Sequence, residues 1–144
     1  MNTDKFIQKR VKNYYWNEDI NCATASLKIF SEKFEIPLSD QVLNAALGMH
    51  GAGGYGAQCG LVEGALMFIG ILGRDLNIPD DQIVTACSEF ADQFENRFKS
   101  LLCNILRPES FALDNPPHLC EEFTCEAIEF SIDFISRLSK NSSV

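Results

Sequence analysis

From Cys59 to Gly73 the chain is apolar nearly all round, with Glu63 as its one charge. A helix apolar on every side cannot lie on a surface, so this segment, continued to Leu76, must be the enclosed centre of the fold. It is too short to cross a bilayer, which needs about 20 apolar residues. Gly60, Gly64, Gly70 and Gly73 punctuate it, each costing roughly 1 kcal/mol of helix propensity relative to alanine. Close approach of neighbouring backbones is the expected compensation.

The remaining segments must wrap this helix, and their apolar spacing is helical throughout, with no strand pattern. Phe6, Ile7, Val11, Tyr14 and Tyr15 line a first helix. Ala23, Leu27, Phe30 and Phe34 line a second, with Asn21 as its N-cap ahead of Cys22. Ser39 caps a third, whose stripe is Val42, Ala45, Ala46 and Met49. Pro79, Asp80 and Asp81 open a fifth, proline and acids both suiting a first turn; its stripe runs Ile83, Cys87, Phe90, Phe94, Phe98, Leu101. A long loop follows over residues 104–118, and a sixth helix spans about Leu119 to Leu138. The sixth helix carries Glu122, Glu126, Glu129 and Asp133 on one face. Its apolar arc is wide enough to predict a homo-oligomer contact through this C-terminal helix. The expected architecture is all-α: one domain over residues 1–144, a bundle of about six helices.

Composition excludes several functions. With a formal charge of −8 and a pI near 4.7, the chain offers no footprint for nucleic acid or an anionic membrane. Six cysteines among 144 residues are too few for a disulfide-built secreted scaffold. Met1 to Arg10 contains no apolar signal core, so a cytoplasmic location is expected, where thiols stay reduced.

The cysteines fall at helix ends. If neighbouring helices run antiparallel, Cys22, Cys59 and Cys120 begin the second, fourth and sixth helices at one end of the bundle. Cys103, at the end of the fifth, joins them, as does the glycine-rich run Gly51 to Gly56. Cys87 lies about 24 Å from Cys103 along its helix at 1.5 Å rise and belongs to the core. Cys59 is the candidate reactive thiol, because a helix N-terminus favours the thiolate. Glu63, one turn on, would either take its proton or oppose its ionisation.

The stretch Cys59-Gly60-Leu61-Val62-Glu63-Gly64 after a glycine-rich loop, with Asn21-Cys22-Ala23 before it, resembles the C_GCAxxG_C_C family of redox-active proteins. The resemblance covers about residues 20–135 and takes in Ala65-Leu66-Met67, Phe98-Lys99 before Cys103, and a terminal cysteine. It maps the family's positions onto Cys22, Cys59, Gly60, Gly64 and Cys103, with Cys120 as the fourth cysteine and Cys125 as its competitor. Leu61 stands where the motif has alanine. The resemblance implies a redox role and names no substrate. A related segment occurs in split-Soret cytochromes, but no C-x-x-C-H is present here to hold c-type haem.

Other signals weigh less. Gly51 to Gly56 formally matches G-x-G-x-x-G, yet the preceding residues are helical and not the strand a dinucleotide site requires. His50 and His118 flank the cysteines as loop residues, each a candidate ligand or proton carrier. Tyr14-Tyr15-Trp16 fits a helix-end core or an interface. Three function classes remain. The leading one is an oxidoreductase-type role in which Cys59 attacks and Cys22, Cys103 or Cys120 resolves, serving an unidentified redox partner by thiol–disulfide exchange or electron transfer. The second uses Cys22, Cys59, Cys103 and Cys120 as ligands to zinc or an iron–sulfur cluster. The third is a non-catalytic helical adaptor.

Overall fold

The computed structural model describes residues 4–107 and 121–141. Within them the fold is all-α, with no strand beyond one isolated bridge. Helix α1 (Lys5–Lys12) passes into a π-helical turn, Asn13–Asn17. Then come α2 (Cys22–Phe34), α3 (Asp40–Ala45), the single turn α4 (Gly51–Gly54), α5 (Gly60–Asp75), α6 (Asp80–Phe98), the short α7 (Cys103–Leu106) and α8 (Glu121–Asn141). No helix among the described residues is long and apolar enough to cross a membrane.

Helix α5 is the central element. It packs most heavily on α2, then on α6, and meets α8 across the core. Leu61, Val62, Ala65, Phe68 and Ile69 are essentially without solvent contact. On one side Phe68 stacks with Phe30 and Phe34 of α2, at 5.5 and 5.7 Å between ring centres. On the other, Phe90, Phe94 and Phe98 of α6 interleave with Phe123, Phe130 and Phe134 of α8 at 5.2–5.9 Å. Such tilted and edge-to-face aromatic pairs add about 0.5–1.5 kcal/mol each beyond area burial.

The caps are those the sequence indicates. Asn21 Oδ1 accepts from the Thr24 N–H at 2.8 Å, and Ser39 Oγ accepts from the Val42 N–H at 3.4 Å. Two expectations need correction. Helix α3 stops at Ala45 and does not run to Met49, because the Asn21 side-chain amide donates to the carbonyls of Ala46 and Leu47 at 3.1 and 2.9 Å. Helix α6 ends at Phe98, with Lys99 in the left-handed conformation (φ 77°), so Leu101 leaves the helical stripe and Cys103 opens a separate turn. The wide arc of α8 is filled within the chain: Cys125, Ala127, Ile128, Ile132, Phe134 and Ile135 are buried against its own helices.

The α5 glycines divide in the same way. A methyl group on Gly64 would sit 2.9 Å from the Ala23 carbonyl oxygen and 3.0 Å from Ser26 Cβ, so α2 and α5 meet backbone to backbone there. Gly73 faces only the Ile83 side chain, and Gly70 has nothing within 4 Å; close approach does not account for Gly70. Gly64→Ala should therefore destabilise the protein by about 1–3 kcal/mol through overpacking against backbone. Gly70→Ala should stabilise it by up to about 1 kcal/mol through helix propensity. Urea midpoints of the two variants should move in opposite directions; a common direction would refute the close contact at Gly64.

Candidate cysteine site

Two loop segments converge at the end of the bundle where α2 and α5 begin. Gln58 bridges antiparallel to Leu102. The bridge is closed by the Cys59 N–H donating to the Leu101 carbonyl at 2.8 Å and the Cys103 N–H donating to the Ala57 carbonyl at 2.7 Å. Side chains alternate across such a bridge. Gln58 and Leu102 therefore face one side, and Cys59 and Cys103 the other. The outward pair is partly exposed, while Cys59 is 0% and Cys103 7% exposed.

Cys22 reaches the same point from α2. Its sulfur lies 2.3 Å from where a Gly60 Cβ would be, and the Ala23 N–H and His50 Cα are each 3.1 Å from that point. Any side chain at Gly60 would displace Cys22, so glycine after Cys59 is a steric requirement of the site. Gly51 plays a matching part beside Cys103: at φ 68° its Cβ would stand 3.0 Å from Cys103 Cβ. The glycine loop thus folds directly over Cys103. Cys22, Cys59 and Cys103 are brought together in this way. Cys120 lies outside the described residues, as does His118.

The site also contains a buried cation, Arg107, only 7% exposed. Its backbone N–H donates to the Cys103 carbonyl at 2.8 Å, and its Nη2 donates to Thr124 Oγ1 at 3.0 Å. Thr124 Oγ1 in turn hydrogen-bonds the Tyr15 hydroxyl at 2.9 Å. The π-helical turn gives Tyr15 its inward position, and burial raises its hydroxyl pKa. Sequence reading did not find this network. Its trace was Arg107 standing as the first charge after the uncharged run Ser100 to Leu106.

Electrostatics reverses one expectation. Burial pushes the Cys59 thiol up from its ordinary value; Arg107 opposes that shift, Cys22 adds to it, and the N–H groups of Leu61 and Val62 favour the thiolate more weakly. The α5 N-terminus therefore acts in the predicted direction, but desolvation outweighs it. Cys22 is likewise raised by burial, with Arg107 again the main opposing influence and Cys103 reinforcing the rise. Thiols raised in this way favour the protonated, folded protein below the ordinary thiol pKa of about 8.5. That contribution is lost as pH climbs through the folded values.

The other candidates are placed elsewhere or differently. Cys87 is half-buried on α6, and its thiol donates to the Leu66 carbonyl at 3.9 Å in the middle of α5. Cys125 is pushed up to about 11 by burial and by the carboxylates of Glu121, Glu122, Glu129 and Glu126. Glu63 accepts a hydrogen bond from the Gln58 side-chain amide and lines a notch of about 140 Å³ with Gly48, Met49, Ala52, Ala57 and Gln58. It is engaged on the outward side of the bridge. His50 has its Nδ1 enclosed without a hydrogen-bond partner. Among the described residues, no three His, Cys, Asp or Glu side chains gather as a metal-ligand set.

Alkylation resolved by mass spectrometry should follow these fields. Cys59 should react slowly at pH 7 and accelerate above about pH 8.5, the ordinary thiol range. Arg107→Met should move that profile to higher pH and Arg107→Lys should restore it in part. Cys125 should remain the slower thiol until near pH 11. A profile unchanged in Arg107→Met would show that the guanidinium does not act on these sulfurs.

No curated protein and no solved structure matches the chain at a significant level. The model of the family described as "Putative redox-active protein (C_GCAxxG_C_C)" matches residues 20–133. That span holds Cys22 with its Asn21 cap, the Cys59-Gly60 helix start, the Gly64 contact, Cys103 and the buried Arg107–Thr124 pair. The chain belongs to the C_GCAxxG_C_C family.

Proposed function

We propose that this protein is a dithiol oxidoreductase in which Cys59 and Cys22 form the exchanging pair. The observation that carries this reading is the seating of the Cys22 sulfur against Gly60, the residue that follows Cys59. Cys103 is a less direct partner for Cys59. Residues diagonal across an antiparallel bridge are about 7–8 Å apart, beyond the usual Cα separation of a disulfide, about 4.4–6.8 Å.

The reaction balances as thiol–disulfide exchange with a substrate disulfide. The Cys59 thiolate attacks one sulfur of the substrate, forming a mixed disulfide and expelling a thiolate, which takes up a proton. The Cys22 thiolate then attacks Cys59 sulfur and expels the second substrate thiolate. The protein loses two electrons and two protons, and the substrate disulfide gains them as two thiols. Arg107 favours each thiolate as it forms, within a site where burial otherwise disfavours charge. His50, whose backbone Cα lies against Gly60 and whose Nδ1 is enclosed without a hydrogen-bond partner, is the assigned proton acceptor. A reducing cytoplasm would return the pair to its thiol state.

Reduced protein treated with 2-hydroxyethyl disulfide should lose one pair of free thiols and regain them with dithiothreitol. Peptide mapping should find Cys22 joined to Cys59. Cys59→Ser keeps nearly the same volume, so helical circular dichroism should persist while exchange is abolished. Cys87→Ser and Cys125→Ser should leave exchange intact. Undiminished exchange in Cys59→Ser, or a bond that consumes Cys87, would contradict the proposal.

A further inference from the structure

From Gln41 to Val62, and again from Ser100 to Leu106, the sequence contains no Asp, Glu, Lys or Arg. These two segments are the ones joined by the Gln58–Leu102 bridge over the buried cysteines. They also carry most of the large apolar side chains exposed among the described residues: Leu47 is 66%, Tyr55 87%, Leu102 43% and Ile105 60% exposed. A chain of net charge −8 thus carries, on the two segments bridged at its cysteine end, no Asp, Glu, Lys or Arg and four exposed apolar side chains. Apolar side chains grouped on a surface rimmed by charge mark interaction sites. The notch between Gly48, Met49 and Ala57 adds a concavity beside that face, with the Glu63 carboxylate at its edge.

We propose that this face docks the polypeptide that exchanges electrons with the thiols, and that this partner presents an apolar contact surface ringed by Lys and Arg. The proposal rests on the dithiol reading of the site. Charge complementarity selects the partner. The acidic remainder of the molecule attracts a basic protein from a distance, and the uncharged face then allows apolar contact without desolvating carboxylates. Glu63 is the carboxylate placed to meet one basic side chain at the notch. A second copy of this chain would bring another −8 charge to the same encounter, which disfavours it as the occupant.

The test uses the full chain and two fluorescein-labelled, cysteine-free peptides, one of alternating Leu and Lys and one with Glu in place of Lys. Binding is read by fluorescence anisotropy. The variants are Tyr55→Ser and Ile105→Ser on the face and Val84→Ser on α6, intermediate in exposure between them, as control. The Leu–Lys peptide should bind the wild type, weaken with added salt, and lose about tenfold in affinity in each face variant. Val84→Ser should bind as the wild type does, and the Leu–Glu peptide should not bind. Equal affinities in all variants, or equal losses in Val84→Ser, would overturn the assignment of the face. So would a wild-type dimer that Tyr55→Ser dissociates in sedimentation, since a second copy would then be the occupant. Exchange with 2-hydroxyethyl disulfide, measured on the same proteins, should be unchanged by the face variants. Its absence from the wild type would refute the dithiol reading, while anisotropy would still decide whether the face binds.

Discussion

Two backbone hydrogen bonds hold this architecture to its chemistry. The Cys59 N–H donates to the Leu101 carbonyl, and the Cys103 N–H donates to the Ala57 carbonyl. Without them, the glycine loop and the segment after α6 would be independent connections at the end of a helical bundle. With them, Cys59 and Cys103 are fixed on the inner side of one short antiparallel contact. Helix α2 completes the arrangement, because Gly60 and Gly64 let its backbone approach α5 until the Cys22 sulfur lies where a Gly60 side chain would be. The position of each thiol therefore depends on groups that are not thiols: a bridge carbonyl, a missing Cβ and the Asn21 cap.

Burial and charge pull against one another at these sulfurs. Removing a thiol from water disfavours its ionised form, and desolvation is the largest influence on both Cys22 and Cys59. Arg107 supplies the main opposing field, while Thr124 and Tyr15 hold the guanidinium in place. A burial-dominated thiol is protected from indiscriminate oxidation, and in the proposed exchange a nearby cation would lower the cost of ionisation. This balance resembles a site that reacts on engagement more than one that stays permanently activated.

The sequence disclosed the helices through periodicity, and the central role of α5 through its unbroken apolar character. The Asn21 and Ser39 caps were legible because capping depends on a few adjacent residues. What escaped detection was non-local. Asn21 shortens α3 from 25 residues away, by donating to the Ala46 carbonyl. Lys99 in a left-handed conformation ends α6 ahead of its apolar pattern. Parity of helix direction brought Cys22, Cys59 and Cys103 to a common end without any geometry, since alternation alone requires it. Parity could not supply the sign of the thiol shift. Depth of burial and the proximity of Arg107 depend on tertiary packing, and at Cys59 desolvation outweighs a helix terminus that acts in the expected direction.

The reduction potential of the dithiol, and its response to Arg107, tests the central claim most directly. Protein equilibrated in dithiothreitol or glutathione redox buffers and quenched with an alkylating mass tag should show one two-electron transition, a tenfold change in ratio for about 30 mV. Arg107 favours the thiolate and hence, above the raised thiol pKa, the reduced state, so in alkaline redox buffers Arg107→Met should move the potential to a more negative value, with Arg107→Lys between. A transition that excludes Cys59, or a potential identical in wild type and Arg107→Met, would contradict the account.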